Sequence, residues 1–303
     1  MLHKGSPPFI FPAGSCYKPG MTARHTIARA VSVTGIALHA GVPVTMLLAP
    51  APAGHGVVFR RADLGKAITA LYDRVGETRL GTVLEEDGAS VGVVEHLMAA
   101  IAGAGIDDLL VTLDGPEPPI LDGDALSYLA LLDAAGHAEQ AQARTAIKVL
   151  KPVLVEQGQA RAALLPAESL SYHLKISFPQ PAIGDQTFDF AFSAEGFRTD
   201  IAPARTFGFL SELETLNRMN LARGANLENT LALDESGVIN RDRMRFADEF
   251  VRHKILDAVG DMALAGAPLI ARFEGFRSGH GVNNALLRTL FADPANYLRV
   301  ELA

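Results

Sequence analysis

His253, Asp257 and Asp261 recur every four residues in a stretch that otherwise reads as buried helix. Four-residue spacing stacks side chains on one helical face, so that face presents an imidazole and two carboxylates, with Lys254 beside them. Such groups cost several kcal/mol when buried unpaired, so each needs a metal, a neighbour or a substrate. An imidazole and a carboxylate suit Zn²⁺ if a third ligand comes from elsewhere and a fourth position stays open for water. The plainer alternative is a helix whose polar groups are capped or ion-paired, with Arg245, Arg252 and Lys254 as partners.

Three further places carry chemistry-bearing residues. Glu95-His96 opens a helical pattern after the strand-like 90–94. His280 stands between Gly279 and Gly281, which permit close approach of backbone to a ligand. His39 lies in the loop-like Gly35-Ile36-Ala37-Leu38-His39-Ala40-Gly41. Several motifs are absent: His-Glu-x-x-His, its inverted form (which would need histidine at Gly92), and a phosphate loop. Ordinary zinc-protease chemistry is therefore disfavoured.

The elements that must position these groups follow from periodicity. Strands are expected over 30–35, 42–48, 57–60, 109–113, 147–150, 172–178 and 269–273. Helices are expected over 95–104, 124–135, 210–218, 248–264 and 283–291. The halves echo one another. His96 begins a helix that leads through a strand to Leu113-Asp114-Gly115, and His253 leads through helix and strand to Phe273-Glu274-Gly275. A duplicated unit, its two copies packed face to face, would bring His96 and His253 together. Residues near 138–147 lack apolar periodicity and mark the expected boundary between an N-terminal α+β domain, 22–143, and a C-terminal one, 144–303.

Composition narrows the class. The 303 residues are 49% hydrophobic and 20% charged, enough for two packed cores. A net charge of −7 argues against a general nucleic-acid binder. The single cysteine, Cys16, allows no intramolecular disulfide and fits a reducing cytoplasm. No run approaches the ~18 apolar residues of a membrane span. Residues 1–21 are expected to form a disordered extension, and the molecule a cytoplasmic monomer.

Together these residues resemble a known family. They are Thr34-Gly35-Ile36-Ala37-Leu38-His39-Ala40-Gly41, Val94-Glu95-His96-Leu97, Pro116-Glu117-Pro118-Pro119-Ile120-Leu121-Asp122-Gly123, Ala204-Arg205-Thr206-Phe207-Gly208, Phe250-Val251-Arg252-His253-Lys254-Ile255-Leu256-Asp257 and Ser278-Gly279-His280. In that order, from about Thr26 to the C-terminus, they are similar to the UDP-3-O-acyl-N-acetylglucosamine deacetylases, zinc amidases of lipid A biosynthesis in Gram-negative bacteria. The resemblance implies an α+β fold of two related domains, each a β-sheet layered with helices, packed as a β-α-α-β sandwich with the active site at the interface.

It also implies Zn²⁺ on His96, His253 and Asp257, with Glu95 as general base and His280 as general acid oriented by Asp261. Thr206, helped by Lys254, would polarise the carbonyl or bind the oxyanion. His39, Phe178, Phe207, Lys254 and Arg277 would touch the UDP-sugar, and an insert over 208–225 would build the acyl passage. The implied reaction is hydrolytic N-deacetylation of UDP-3-O-((R)-3-hydroxyacyl)-N-acetylglucosamine to the free amine and acetate. Two other readings compete: a zinc deacetylase for another nucleotide-sugar or amide, and an inactive nucleotide-sugar-binding protein. Turnover that ceases when the 3-O-acyl group is removed would favour the implied substrate over the first, and turnover at all would exclude the second.

Overall fold

Two-residue alternation builds the main sheets. In Pro43–Pro50 the buried residues are Val44, Met46 and Leu48, while Thr45 and Leu47 face outwards. Tyr172, Leu174 and Ile176 repeat the pattern in Ser171–Ser177. The structure, a computed structural model, describes residues 22–302. The extension expected over 1–21 lies outside the described residues.

The first large sheet has the strand order Val31–Ile36, Pro43–Pro50, Leu109–Leu113, Val57–Arg61, Lys66–Thr69. Its one parallel pairing joins Val57–Arg61 to Leu109–Leu113. The second runs Val153–Gln157, Ala160–Leu165, Arg272–Phe276, Ser171–Ser177, Asp185–Ala191, and its parallel pairing joins Ser171–Ser177 to Arg272–Phe276. The two orders are the same. In each, two hairpins flank a central strand that arrives last in the chain, after the helix bearing the histidine. The faint echo in sequence is a duplication of topology.

Six helices complete the described fold: α1 (Glu95–Ala104), α2 (Leu126–Ala135), α3 (Ala194–Gly196), α4 (Leu210–Arg218), α5 (Glu249–Ala263) and α6 (His280–Ala292). α1 packs on α5 and α2, and α5 also on α6; α5 and α6 lie against the second sheet. The sheets thus form the outer layers and the helices the inner ones, a β-α-α-β sandwich. One continuous core runs from Met46 and Phe59 through Leu97, Leu129 and Leu256 to Phe273 and Leu287. Among the described residues, no helix is long and apolar enough to cross a membrane.

Some elements escaped periodicity. Val153–Gln157 and Asp185–Ala191 are largely exposed edge strands, each with a single fully buried position. The stretch near 138–147 also holds strands: His137–Ala143 pairs with Ala23–Ile27, and Thr145–Val149 with Tyr297–Glu301. α6 begins at His280, three residues before the expected start, so the glycine-flanked histidine opens a helix rather than lying in a loop.

The layers meet most closely where α5 crosses the start of α1. A Cβ added at Gly260 would lie 2.0 Å from the Glu95 carbonyl oxygen. Only glycine lets the helices approach so far, and that approach sets the separation of everything they carry. Gly260→Ala should cost at least about 1–3 kcal/mol, the usual effect of overpacking. A thermal midpoint equal to that of the parent protein would refute the crossing.

Candidate active site

The crossing brings His96 of α1 against His253 and Asp257 of α5. The imidazole centroids lie 4.9 Å apart at 85°. Their Nε2 atoms stand 3.5 Å (His96) and 3.4 Å (His253) from Asp257 Oδ1. One donor atom from each of the three buried residues falls within 4.8 Å of the other two. Asp257 Oδ2 accepts the Lys254 ammonium at 2.6 Å, but Oδ1 has no hydrogen-bond partner. A buried, orphaned carboxylate oxygen facing two imidazole nitrogens fits a divalent metal ion.

Protonation agrees with that fit. His253 Nδ1–H donates to the Ala204 carbonyl at 3.1 Å, which leaves Nε2 turned to the cluster. Burial pushes the His253 ring down to about 3, so it stays neutral, the form that ligates. Burial alone would raise the Asp257 carboxyl, yet His253 and the Lys254 ammonium hold it well below the usual carboxylate range. Both groups are in their metal-binding states at neutral pH.

Beside the cluster lies a carboxylate–imidazole pair. Glu95, the first residue of α1, accepts the Thr82 backbone N–H on Oε2 at 2.9 Å. Its Oε1 is 3.9 Å from His280 Nε2. His280 Nδ1 donates to Asp261 Oδ2 at 2.9 Å. Asp261, one turn beyond Asp257, also accepts from Asn283 Nδ2 at 2.8 Å and Thr82 Oγ1 at 2.6 Å. Burial would pull the His280 ring down, but the carboxylates of Asp261 and Glu95 outweigh it and hold the ring up at about 9. A cationic ring therefore faces a carboxylate at 3.9 Å.

These side chains open into a cavity of about 390 Å³. Glu95, His96, Thr206, His253, Lys254, Asp257 and His280 line it, as do Phe178, Phe207 and Arg277. Thr206 is fixed through its backbone: its N–H donates to Gly123 O at 2.9 Å, and its carbonyl accepts Leu231 N–H at 2.8 Å. Phe178 and Phe207 pack edge-on at 5.7 Å, and Phe207 also reaches the His253 ring at 6.2 Å. Arg277 donates to Ser177 Oγ at 2.9 Å and to Gln159 Oε1.

Two expected residues stand apart. Asp261 lies behind His280. His39 borders a neighbouring cavity of about 230 Å³ instead. Both its ring nitrogens are engaged, Nε2 with Leu80 O at 3.0 Å and Nδ1 with the Ala222 N–H at 3.2 Å.

Three partners were not legible beforehand. Asn283 is one turn from His280 on the same helix, a spacing that could have revealed it. Thr82 lies in an aperiodic stretch, and the Ala204 carbonyl has no side-chain signature at all. The buried Arg205–Glu249 pair (3.1 Å) is another such case: Glu249 also accepts the Arg205 N–H at 3.0 Å, pinning the segment between Ala204 and Thr206 to the start of α5. Asp257→Asn should abolish stoichiometric metal retention in the purified protein. Metal analysis showing full occupancy in that variant would refute the ligand assignment.

Known proteins are similar to the chain along almost its whole length. A family model described as UDP-3-O-acyl N-acetylglycosamine deacetylase matches residues 24–292. A Myxococcus xanthus protein named UDP-3-O-acyl-N-acetylglucosamine deacetylase is 46% identical over 282 residues, covering 92% of this chain and 90% of the relative. Relatives of the same name from a Nitratiruptor species and Neisseria meningitidis are 44% and 41% identical, each over 92% of this chain and 93% and 94% of their own lengths. The chain belongs to the UDP-3-O-acyl N-acetylglycosamine deacetylase family.

Proposed function

We propose that this chain hydrolyses the N-acetyl group of UDP-3-O-acyl-N-acetylglucosamine in lipid A biosynthesis, with Zn²⁺ as its metal. The observation that carries the reading is the Glu95–His280 pair facing one cavity beside the His96, His253 and Asp257 donors. Two imidazoles and a carboxylate, with room for water, are a donor set that Zn²⁺ takes in hydrolytic sites. When bound, Zn²⁺ supplies Lewis-acid polarisation of the carbonyl and an acidified water.

The chain's own groups do the rest. Glu95 Oε1 takes a proton as water adds to the acetamide carbon, and Thr206 Oγ1, with Lys254 near, donates to the oxygen that becomes negative. The His280 imidazolium gives its Nε2 proton to the sugar nitrogen as the C–N bond breaks. Acetate and the free amine leave. Asp261 keeps the His280 ring in its plane and cationic.

Charge and apolar surface fit the rest of the substrate. Arg277 supplies a cation for a diphosphate in an otherwise acidic protein, and Phe178 and Phe207 offer aromatic surface to the base or sugar. For the acyl chain we propose the insert over 208–225. α4 buries none of its residues, and Leu210 at its start and Met219 just past its end are exposed, apolar surface that a hydrocarbon would cover. The duplicated strand order supports division into units 22–143 and 144–303. We place the protein in the cytoplasm as a monomer, a reducing compartment being consistent with its single cysteine.

Glu95→Gln should retain the metal and lose about 10²–10⁴ in kcat. Near-normal turnover would exclude Glu95 as the base. The acid works protonated, so activity should fall as pH rises through the His280 value near 9. Asp261→Asn removes the charge that holds that value up, so the alkaline limb should move to lower pH. A limb that stays in place would assign the descending arm to another group.

A further inference from the structure

We propose that Thr82 is a positioning residue that sets the base Glu95 and the Asp261–His280 pair at their working separation; this rests on the roles given above to Glu95 and His280. Thr82 comes from an irregular strap, yet it is 1% exposed and holds both sides of the reaction at once. Its backbone N–H donates to Glu95 Oε2 at 2.9 Å, and its carbonyl accepts the Val94 N–H at 3.3 Å, so the residue clamps the start of α1. Its hydroxyl donates to Asp261 Oδ1 at 2.6 Å. Oδ2 of the same carboxylate carries His280 and Asn283.

The division of oxygens matters. The Thr82 N–H occupies Oε2 of Glu95, leaving Oε1 to face His280 and take the proton. The hydroxyl holds Asp261 Oδ1, which His280 Nδ1 also approaches at 3.2 Å, so the carboxylate is fixed against the ring. Base and acid sit on different helices, and Thr82 is a single residue bonded to the base and to the acid's support.

The strap is shaped for this contact. Gly81 has φ +153, and a Cβ there would lie 3.0 Å from Glu95 Oε1. A side chain at that position would crowd the oxygen that does the chemistry. His39 donates to the Leu80 carbonyl at 3.0 Å, which ties the strap to the loop that carries His39.

The test compares Thr82→Val, which keeps shape and the backbone N–H but lacks the hydroxyl, with Thr82→Ser, which restores it. kcat, KM and bound zinc are measured for both, with Glu95→Gln alongside. Thr82→Val should lose about 10–100-fold in kcat, the usual effect of removing a supporting partner, with KM and zinc content unchanged. Thr82→Ser should recover most of the loss. If Thr82→Val fails to fold, Thr82→Ala removes the same hydroxyl without filling its space, and the same fall is expected. Unchanged kcat in the hydroxyl-free variant overturns the proposal, as does a fall that serine does not rescue or that comes with loss of zinc. Normal turnover in Glu95→Gln would instead overturn the assignment of the base.

Discussion

The close crossing of α1 and α5 is the constraint on which the site depends. At Gly260 the helices approach to a distance that any Cβ would prevent. That contact lays the first residues of α1 across the face of α5 that carries His253, Asp257 and Asp261. A wider crossing would leave each half with an incomplete set: one imidazole and a carboxylate on α1, one imidazole and two carboxylates on α5. The chemistry belongs to the interface between the copies of a duplicated fold.

Burial makes the site both costly and reactive. Five ionisable side chains (Glu95, His96, His253, Asp257 and Asp261) are each no more than 4% exposed. In such surroundings unpaired charge is expensive, and that expense selects protonation states. His253 stays neutral because it is buried, whereas His280 stays cationic because carboxylates surround it. Two histidines of one cavity thus take opposite charge states. Asp257 and Asp261 are one turn apart on one helix and diverge in the same way. Asp257 leaves an oxygen free toward the imidazoles, while Asp261 spends both oxygens on hydrogen bonds.

Support for these groups comes from segments with little regular structure. The Ala204 carbonyl orients the His253 ring, the backbone of Thr206 is held between Gly123 and Leu231, and the Gly81-Thr82 strap reaches both helices. Each uses backbone groups at least as much as side chains. His39 shows the same economy: its ring joins the strap to the end of the 208–225 insert, through Leu80 and Ala222. A residue expected at the substrate thus holds together two loops that border the cavity.

The sequence alone determined the reactive face of α5, because four-residue spacing is a local property of any helix. It also carried the helix-then-strand echo between the halves, the fold class, and the ordered motifs that resemble one family. Edge strands such as Asp185–Ala191 escaped it, since that strand has a single fully buried position. So did the supports: Thr82 meets Asp261 across 179 positions, and a backbone carbonyl has no residue type to read. Whether His96 and His253 meet was decided only by packing, through the glycine that lets two helices touch. Distances between distant segments follow from the shape of the core, and no local pattern encodes them.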